Sequence, residues 1–372
     1  MIQQLAPARF QIPIKNVAVV GGGAWGTALA ITAARAGCNV SLWAREPEVV
    51  ESIRSRRQND IFLPGYDIPE VVRPEENLAA AVKDADAVLL VVPSQFLRAT
   101  CQALETCLAP HVALVICSKG IERSNGLLLA AVVEEVLPSH ALAVLSGPTF
   151  ADEVAAGQPT AVTIASPDAA SRPEHSLAAA LARAIGTATF RPYISDDVAG
   201  VEVGGAVKNV LAIASGIATG LGFGSNARAA IITRGLDELK TLSEALGGRR
   251  DTVTGLAGIG DLTLTCSSEQ SRNMRYGMGL AQDKSDAEIF GGRPVVVEGA
   301  ENAVSVTDLA RRLNVDMPIC EAVRAIIADG KPIKDAMNEL LSRPFRGEQR
   351  SVALVIPQRP INQTAEQEVQ LA

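Results

Sequence analysis

The chain has 372 residues and a formal charge of −7, enough length for two domains with separate cores, because single cores stop growing well below it. Hydrophobic residues make up 48% and charged residues 20%, proportions that exclude a disordered or fibrous chain. The acidic balance excludes a general electrostatic attraction to nucleic acid or to an anionic membrane, so a phosphate-bearing ligand would have to be caught by locally placed donors.

The opening MIQQLAPARFQIP lacks the continuous apolar core of a secretory signal, and residues 1–13 are expected to be an N-terminal extension. From Ile14 the text alternates between short β-branched runs and longer alanine-rich stretches, as parallel strands and their crossover helices do. In chain order, NVAVVG is a strand, Thr27–Ala36 a helix, NVSLWA and AVLLVVP strands, Gln95–Leu108 a helix, VALVICS a strand, Leu127–Leu137 a helix and ALAVLSG a strand. These strands lack polar alternation, as expected of strands covered on both faces. TAVTIAS and TATFRPYIS add strands, with a helix over Ser176–Ala184 between them. After about Ser195 strand signals fade, and long helical stretches separated by glycine loops run to about Leu341. The fold class expected is therefore α/β: a doubly wound Rossmann-type nucleotide-binding domain over 14–195, then an all-α substrate domain over 196–342. Residues 343–372 have little periodicity and are expected to form a loosely held tail.

Six scattered cysteines (Cys38, Cys101, Cys107, Cys117, Cys266, Cys320) and three histidines predict neither a zinc site nor a disulfide framework, and no metal is assigned. The glycine-rich run that follows Lys208 comes nearest to a membrane span, but its Ser, Thr and Asn make it a poor one, so no stable membrane insertion and a cytoplasmic location are expected.

Gly21, Gly23 and Gly26 in VAVVGGGAWGTALA form a G-x-G-x-x-G between the first strand and the first helix, the context that gives this motif its meaning. Glycine suits a tight turn, leaves room for a pyrophosphate and lets helix and strand pack closely, while the helix N-terminus offers free N–H groups to the phosphates. About twenty residues later stands Arg45 followed by Glu46. An arginine there can pair with the ribose phosphate of NADP, so NADP(H) is the preferred cofactor, with NAD(H) also accommodated because Glu46 argues against exclusivity.

One side chain is out of place. Residues 201–220, VEVGGAVKNVLAIASGIATG, would make a buried helix but for Lys208. An ammonium buried without a partner is costly, so its head either reaches water or serves a site that needs a proton and a positive charge. Three further stretches carry polar groups on glycine-rich loops: CSKGIE around Lys119, SGPTFADEVAAG from Ser146, and GLAGIGDLTLTCSSEQSRN from Gly255. Separately each can be a loop lysine, a Gly-Pro turn or a set of helix caps. In a doubly wound sheet, however, Lys119 and the Gly147-Pro148-Thr149 loop both follow strands whose carboxyl ends line the ligand crevice.

With GGGAWGTALA, FLPG at Phe62, VPSQ at Val92, SKGIE, SGPTFADE, GGAVKNVLAIASG, GIGDLTLTCSSEQSRN and VVEG in that order, the chain resembles NAD(P)-dependent glycerol-3-phosphate dehydrogenase of the bacterial type from about Lys15 to about Leu341. The resemblance implies an oxidoreductase interconverting dihydroxyacetone phosphate and sn-glycerol 3-phosphate, which supplies phospholipid synthesis. It implies Lys208 as the catalytic proton-transfer residue, and Lys119, Gly147, Thr149, Asp261, Ser271, Arg272 and Asn273 around the substrate. Gly21, Gly23, Ala24, Trp25, Gly26, Arg45, Lys119, Ala151, Arg272, Val296 and Glu298 would contact the nucleotide. The expected partner is a small molecule and not nucleic acid, and a homodimer is left open. Two rivals remain: a related β-hydroxy acid or sugar acid dehydrogenase, whose substrate would carry a carboxylate, and a non-catalytic NAD(P)-sensing protein, which would not need Lys208.

Overall fold

The computed structural model describes residues 13–292, 295–347 and 355–356. Residues 1–12 of the expected extension and most of the expected tail over 343–372 lie outside the described residues.

Eight strands form one sheet: β1 (Asn16–Val20), β2 (Asn39–Trp43), β3 (Val72–Glu75), β4 (Ala87–Leu90), β5 (Ala113–Ile116), β6 (Leu142–Ser146), β7 (Thr160–Ala165) and β8 (Phe190–Ser195). Their order is β3-β2-β1-β4-β5-β6-β7-β8. The helices among them are α1 (Ala24–Arg35), α2 (Pro47–Arg56), α3 (Leu78–Val82), α4 (Leu97–Glu105), α5 (Leu129–Val136), α6 (Ala151–Ala155) and α7 (Leu177–Ile185). Alternation along β1 shows how the sheet is covered. Val17 and Val19 enter one apolar core with α1 and α7, while Ala18 and Val20 enter a second with α4 and α5. Successive side chains of a strand point to opposite faces, so a strand buried on both must be apolar throughout.

Chain direction reverses its winding at β1, which pairs in parallel with β2 on one side and β4 on the other. Ligands of open α/β sheets bind outside the carboxyl ends of the strands at such a switch point. Three elements not anticipated above, α2, β3 and α3, complete this half. β3 is a four-residue edge strand, VRPE, whose Pro74 and charged Arg73 and Glu75 hide it from a search for β-branched runs.

β7 runs antiparallel to β6, a direction the strand patterns do not specify, while β7 and β8 are mutually parallel. The connection after β6 contains only the five-residue α6, which advances the chain about 7.5 Å. A strand of five residues spans roughly 17 Å. With so short a helix between β6 and β7, the chain re-enters the sheet from the end it left and pairs beside β6 in the antiparallel sense.

After β8 come α8 (Val198–Gly220), α9 (Ser225–Ala245), α10 (Arg250–Val253), α11 (Asp261–Ser267), α12 (Arg272–Leu280), α13 (Asp286–Phe290), α14 (Glu298–Arg312), α15 (Pro318–Ile327) and α16 (Ile333–Leu341). A π-helical turn over Leu256–Gly260 leads into α11. This helical domain is built around α8, whose Val203, Val207, Val210, Leu211 and Ile213 share one core with Leu239, Leu262, Val306 and Val323 from α9, α11, α14 and α15. Although α8 is long and apolar enough by composition to cross a membrane, 94% of its most apolar stretch is buried inside the protein. Its glycines explain the close packing. A Cβ on Gly204 would overlap the carbonyl of Ala257, and one on Gly216 would overlap that of Met274. Beyond α16, Phe345–Arg346 pairs antiparallel with Val355–Ile356.

Candidate active site

The G-x-G-x-x-G turn is built as the motif requires. Gly21 has a positive φ of 130°, and a Cβ there would sit 2.7 Å from the Val91 carbonyl oxygen, a conformation and an approach open to glycine alone. A Cβ on Gly26 would overlap the Gly21 carbonyl, whereas one on Gly23 would meet open space. Gly23 is the N-cap of α1 and no side chain caps it. The helix therefore starts three residues earlier than Thr27, inside the motif, and its first N–H groups remain for an anion. A dinucleotide pyrophosphate fits this cradle. Ala24 and Trp25 form the first turn of α1 and, with Ala151 at the start of α6, pack on the adjacent apolar core.

Arg45 lies just past β2 with an exposed side chain. Its guanidinium is 3.1 Å from the Glu46 carboxylate and 5.9 Å from the centre of the exposed Phe96 ring, which stands beyond β4. Both residues thus flank the sheet's switch point on the side where the strands end.

The second cluster centres on Asp261, which is fully buried. Lys208 Nζ donates to its Oδ1 at 2.6 Å and Lys119 Nζ to its Oδ2 at 2.7 Å. Lys208 also donates to Thr265 Oγ1 at 3.0 Å, and Lys119 to the Gly147 carbonyl at 3.3 Å. Each element has a local reason for its place. Lys119 follows β5, and Gly147 follows β6 with a φ of 152°. Lys208 lies one turn beyond Gly204 and Gly205 on the same face of α8. A Cβ on Gly205 would press on the Lys119 side chain at 3.2 Å, so the glycine lets the two lysines approach. Asp261 opens α11 directly after the π-helical turn, a rare backbone form that recurs at functional sites.

Burial pulls the Lys208 pKa down to about 8; the nearby Lys119 charge pushes the same way, while Asp261 opposes both. Two of the three ammonium protons are spent on Asp261 and Thr265, leaving one for a ligand. Two ammonium groups against one carboxylate give the contacting trio a net positive charge inside a chain whose total is −7.

Asn209, next to Lys208, donates to Glu298 at 3.3 Å and accepts from Asn273 at 2.9 Å; Asn273 in turn accepts the Gly299 N–H at 2.9 Å. α8, α12 and α14 are thereby tied together beneath the lysines. Ser271 is the N-cap of α12, accepting the Met274 N–H at 3.2 Å. Arg272, the first residue of that helix, is exposed and forms no hydrogen bond or ion pair among the described residues. Thr149 donates to the Gly147 carbonyl at 3.3 Å, the same oxygen that Lys119 uses. Val296 is exposed, just ahead of α14.

The structure thus brings Lys119, Gly147, Thr149, Lys208 and Asp261 into one cluster and puts Asn273 and Glu298 in an adjoining network. Gly21, Gly23 and Gly26 stand two strands away from Lys119, roughly 10 Å at about 4.8 Å per strand. Thr265 and Asn209 were not singled out from the sequence. Thr265 stands four residues after Asp261, one helical turn, and that spacing was the available signal.

A Rossmann-type domain with a glycine cradle, followed by a helical domain that delivers a buried lysine to the sheet's carboxyl edge, defines a dinucleotide-dependent oxidoreductase. The chain belongs to the NAD-dependent glycerol-3-phosphate dehydrogenase family: the model of its N-terminus matches residues 16–172 and that of its C-terminus residues 197–338. Among its relatives, glycerol-3-phosphate dehydrogenase [NAD(P)+] of Parvibaculum lavamentivorans is 50% identical over 334 residues, 90% of this chain and 98% of that protein. The protein of the same name from Rhodospirillum rubrum is 48% identical over 92% of this chain and 97% of its own length. The crystal structure of glycerol-3-phosphate dehydrogenase from Coxiella burnetii superposes with a TM-score of 0.83 at 38% identity, covering 89% of this chain and 99% of that one.

Proposed function

We propose that the enzyme interconverts dihydroxyacetone phosphate and sn-glycerol 3-phosphate in the cytoplasm, with Lys208 as the proton-transfer residue. The observation that carries this reading is the buried Asp261 carboxylate shared between Lys208 and Lys119. Residues 14–195 hold the dinucleotide, and residues 196–342 supply the substrate and catalytic groups. A bound NAD(P)H supplies the hydride to the ketone carbon.

As that carbon is reduced, negative charge grows on the carbonyl oxygen. The uncommitted N–H of Lys208 neutralises it, first as a hydrogen bond and then by proton transfer, yielding the alcohol and a neutral amine. A lysine titrating at about 8 suits both directions, since it is mostly protonated at neutral pH yet gives its proton readily. Asp261 and Thr265 keep the amine aimed throughout. Lys119 holds the other carboxylate oxygen and adds positive potential for the substrate. At the start of α12, Ser271, Arg272 and Asn273 form the phosphate end of the site, with the exposed guanidinium of Arg272 as the principal ligand.

Arg45 favours NADP(H), its guanidinium exchanging Glu46 for a ribose phosphate, while NAD(H) is also accepted. Initial rates with dihydroxyacetone phosphate against NADPH and NADH separately test both parts. Turnover with neither nucleotide overturns the reaction, and equal or better efficiency with NADH overturns the preference.

A further inference from the structure

Between α2 and β3 the chain makes an excursion over residues 57–71 whose role the reaction above does not explain. Arg57, left-handed at φ 54°, closes α2 and ties down the far end by donating to the carbonyls of Ile68 at 3.1 Å and Val72 at 2.9 Å. The near end is held by Asn59. Although it sits in a surface loop, Asn59 is fully buried and all three of its side-chain hydrogen bonds have good lengths. Its Nδ2 donates to the Gly22 carbonyl at 2.8 Å and to Thr27 Oγ1 at 2.8 Å, and its Oδ1 accepts the Phe62 N–H at 3.1 Å. The loop tip carries the exposed Ile61 and Phe62.

Asn59 thus reaches 37 residues back along the chain to the middle residue of the glycine turn. Gly22 is itself wedged in place, since a Cβ there would overlap the side chain of Ala44. A trans peptide is planar and its C=O and N–H point in opposite directions. Holding the Gly22 carbonyl inward, toward Asn59, therefore turns the Gly23 N–H outward. Gly23 is the residue beside which a Cβ would find open space, and no group among the described residues accepts its N–H.

We propose that Asn59 is a positioning residue for the dinucleotide: by gripping the Gly22 carbonyl it aims the Gly23 N–H at the pyrophosphate and fixes the turn that presents the α1 N-terminus. This rests on the dinucleotide reading above. Without the grip the Gly22 carbonyl keeps only the long 3.5 Å contact from Thr27 Oγ1, so the Gly22–Gly23 peptide, with glycine on both sides, loses its fixed orientation and the donor is misaimed part of the time. The consequence falls on the pyrophosphate and not on the adenosine end, which meets the protein near Arg45.

The test is equilibrium binding of NADPH and of adenosine 2′-monophosphate, which shares adenine, ribose and 2′-phosphate but has no pyrophosphate. Asn59→Asp keeps the acceptor for the Phe62 N–H and the side chain's size but cannot donate to Gly22. The Kd for NADPH should rise about 10- to 100-fold, with that for adenosine 2′-monophosphate within about twofold of wild type. Saturating NADPH should restore kcat, because no group that touches the substrate has moved. An unchanged NADPH Kd, or equal weakening of both ligands, overturns the role of Asn59. If Asn59→Asp does not fold, Thr27→Val carries the test. It removes the hydroxyl that accepts from Asn59's amide and itself donates to the Gly22 carbonyl at 3.5 Å, loosening the same carbonyl while Asn59 stays, and a smaller rise in the same direction, again confined to NADPH, is expected. Wild-type protein that binds neither ligand would overturn the dinucleotide reading itself.

Discussion

Replacing Asp261 by asparagine removes one negative charge from between two buried ammonium groups and leaves the side chain's size nearly unchanged. At 2.6 and 2.7 Å, each contact is worth roughly 6 kcal/mol of attraction at an effective dielectric of about 20. Desolvation of the three groups offsets much of this, and losing one partner of a buried pair costs about 3–5 kcal/mol. The asparagine oxygen still accepts one lysine proton, which sets the expected loss near 3 kcal/mol, read as a lower urea midpoint at pH 7. A second readout isolates the electrostatics. Asp261 is what raises the Lys208 pKa against burial and Lys119, so in Asp261→Asn the lysine deprotonates at lower pH. The alkaline limb of kcat for ketone reduction, at about pH 8 in the wild type, should move down and the rate at pH 7 fall with it. A variant with the wild-type urea midpoint and an unmoved alkaline limb would refute the coupling of the two lysines through this carboxylate.

Lys208→Ala should keep the fold and the NADPH Kd and lower kcat by about 10²- to 10⁴-fold, the range for losing a proton donor; near-normal turnover would return Lys208 to a packing role. In the wild type, reduction needs protonated Lys208 and should decline as pH rises through about 8, while oxidation needs the neutral amine and should rise over the same interval, a mirror pair of profiles that a common unfolding event could not produce. Arg272→Ala should cost roughly 10- to 150-fold in efficiency with dihydroxyacetone phosphate, with only partial rescue by lysine, and leave the slow reduction of dihydroxyacetone nearly unaffected; equal losses on both ketones would exclude a phosphate contact. Glu202 is buried on α8, accepts the Ala130 N–H at 2.9 Å, and burial raises its pKa to about 8. Because the folded-state value is the higher one, its contribution is full below the ordinary carboxylate range and is lost as pH rises through about 8; Glu202→Gln should flatten that decline in chemical denaturation, and an unchanged pH dependence would count against it.

Some features are legible in local patterns and others are not, as the earlier start of α1 and the unanticipated α2 and α3 show. The glycine turn is specified by residues within one strand-to-helix junction, and the helix N-terminus, the tight turn and the close packing all follow from the spacing of Gly21, Gly23 and Gly26. Lys208 stood out because a charge in an otherwise apolar helix has to be satisfied somewhere. Where it is satisfied could not be read the same way. The two hydrogen bonds that define the cluster join residues 53 and 142 positions apart, and hydropathy periods carry no information across such distances. The motif around Asp261 places it beside the substrate, but its sharing between Lys208 and Lys119, and the hydroxyl of Thr265 beneath it, appear only when α8 and α11 are packed against the ends of β5 and β6. The reversed β7 and the polar edge strand β3 have the same cause, since a strand's direction and an edge strand's pairing are set by how far the connecting chain travels and by which neighbour is already in place. Side-chain chemistry and short-range spacing determined which groups were available; burial, by stripping water from three charges at once, decided which of them would meet.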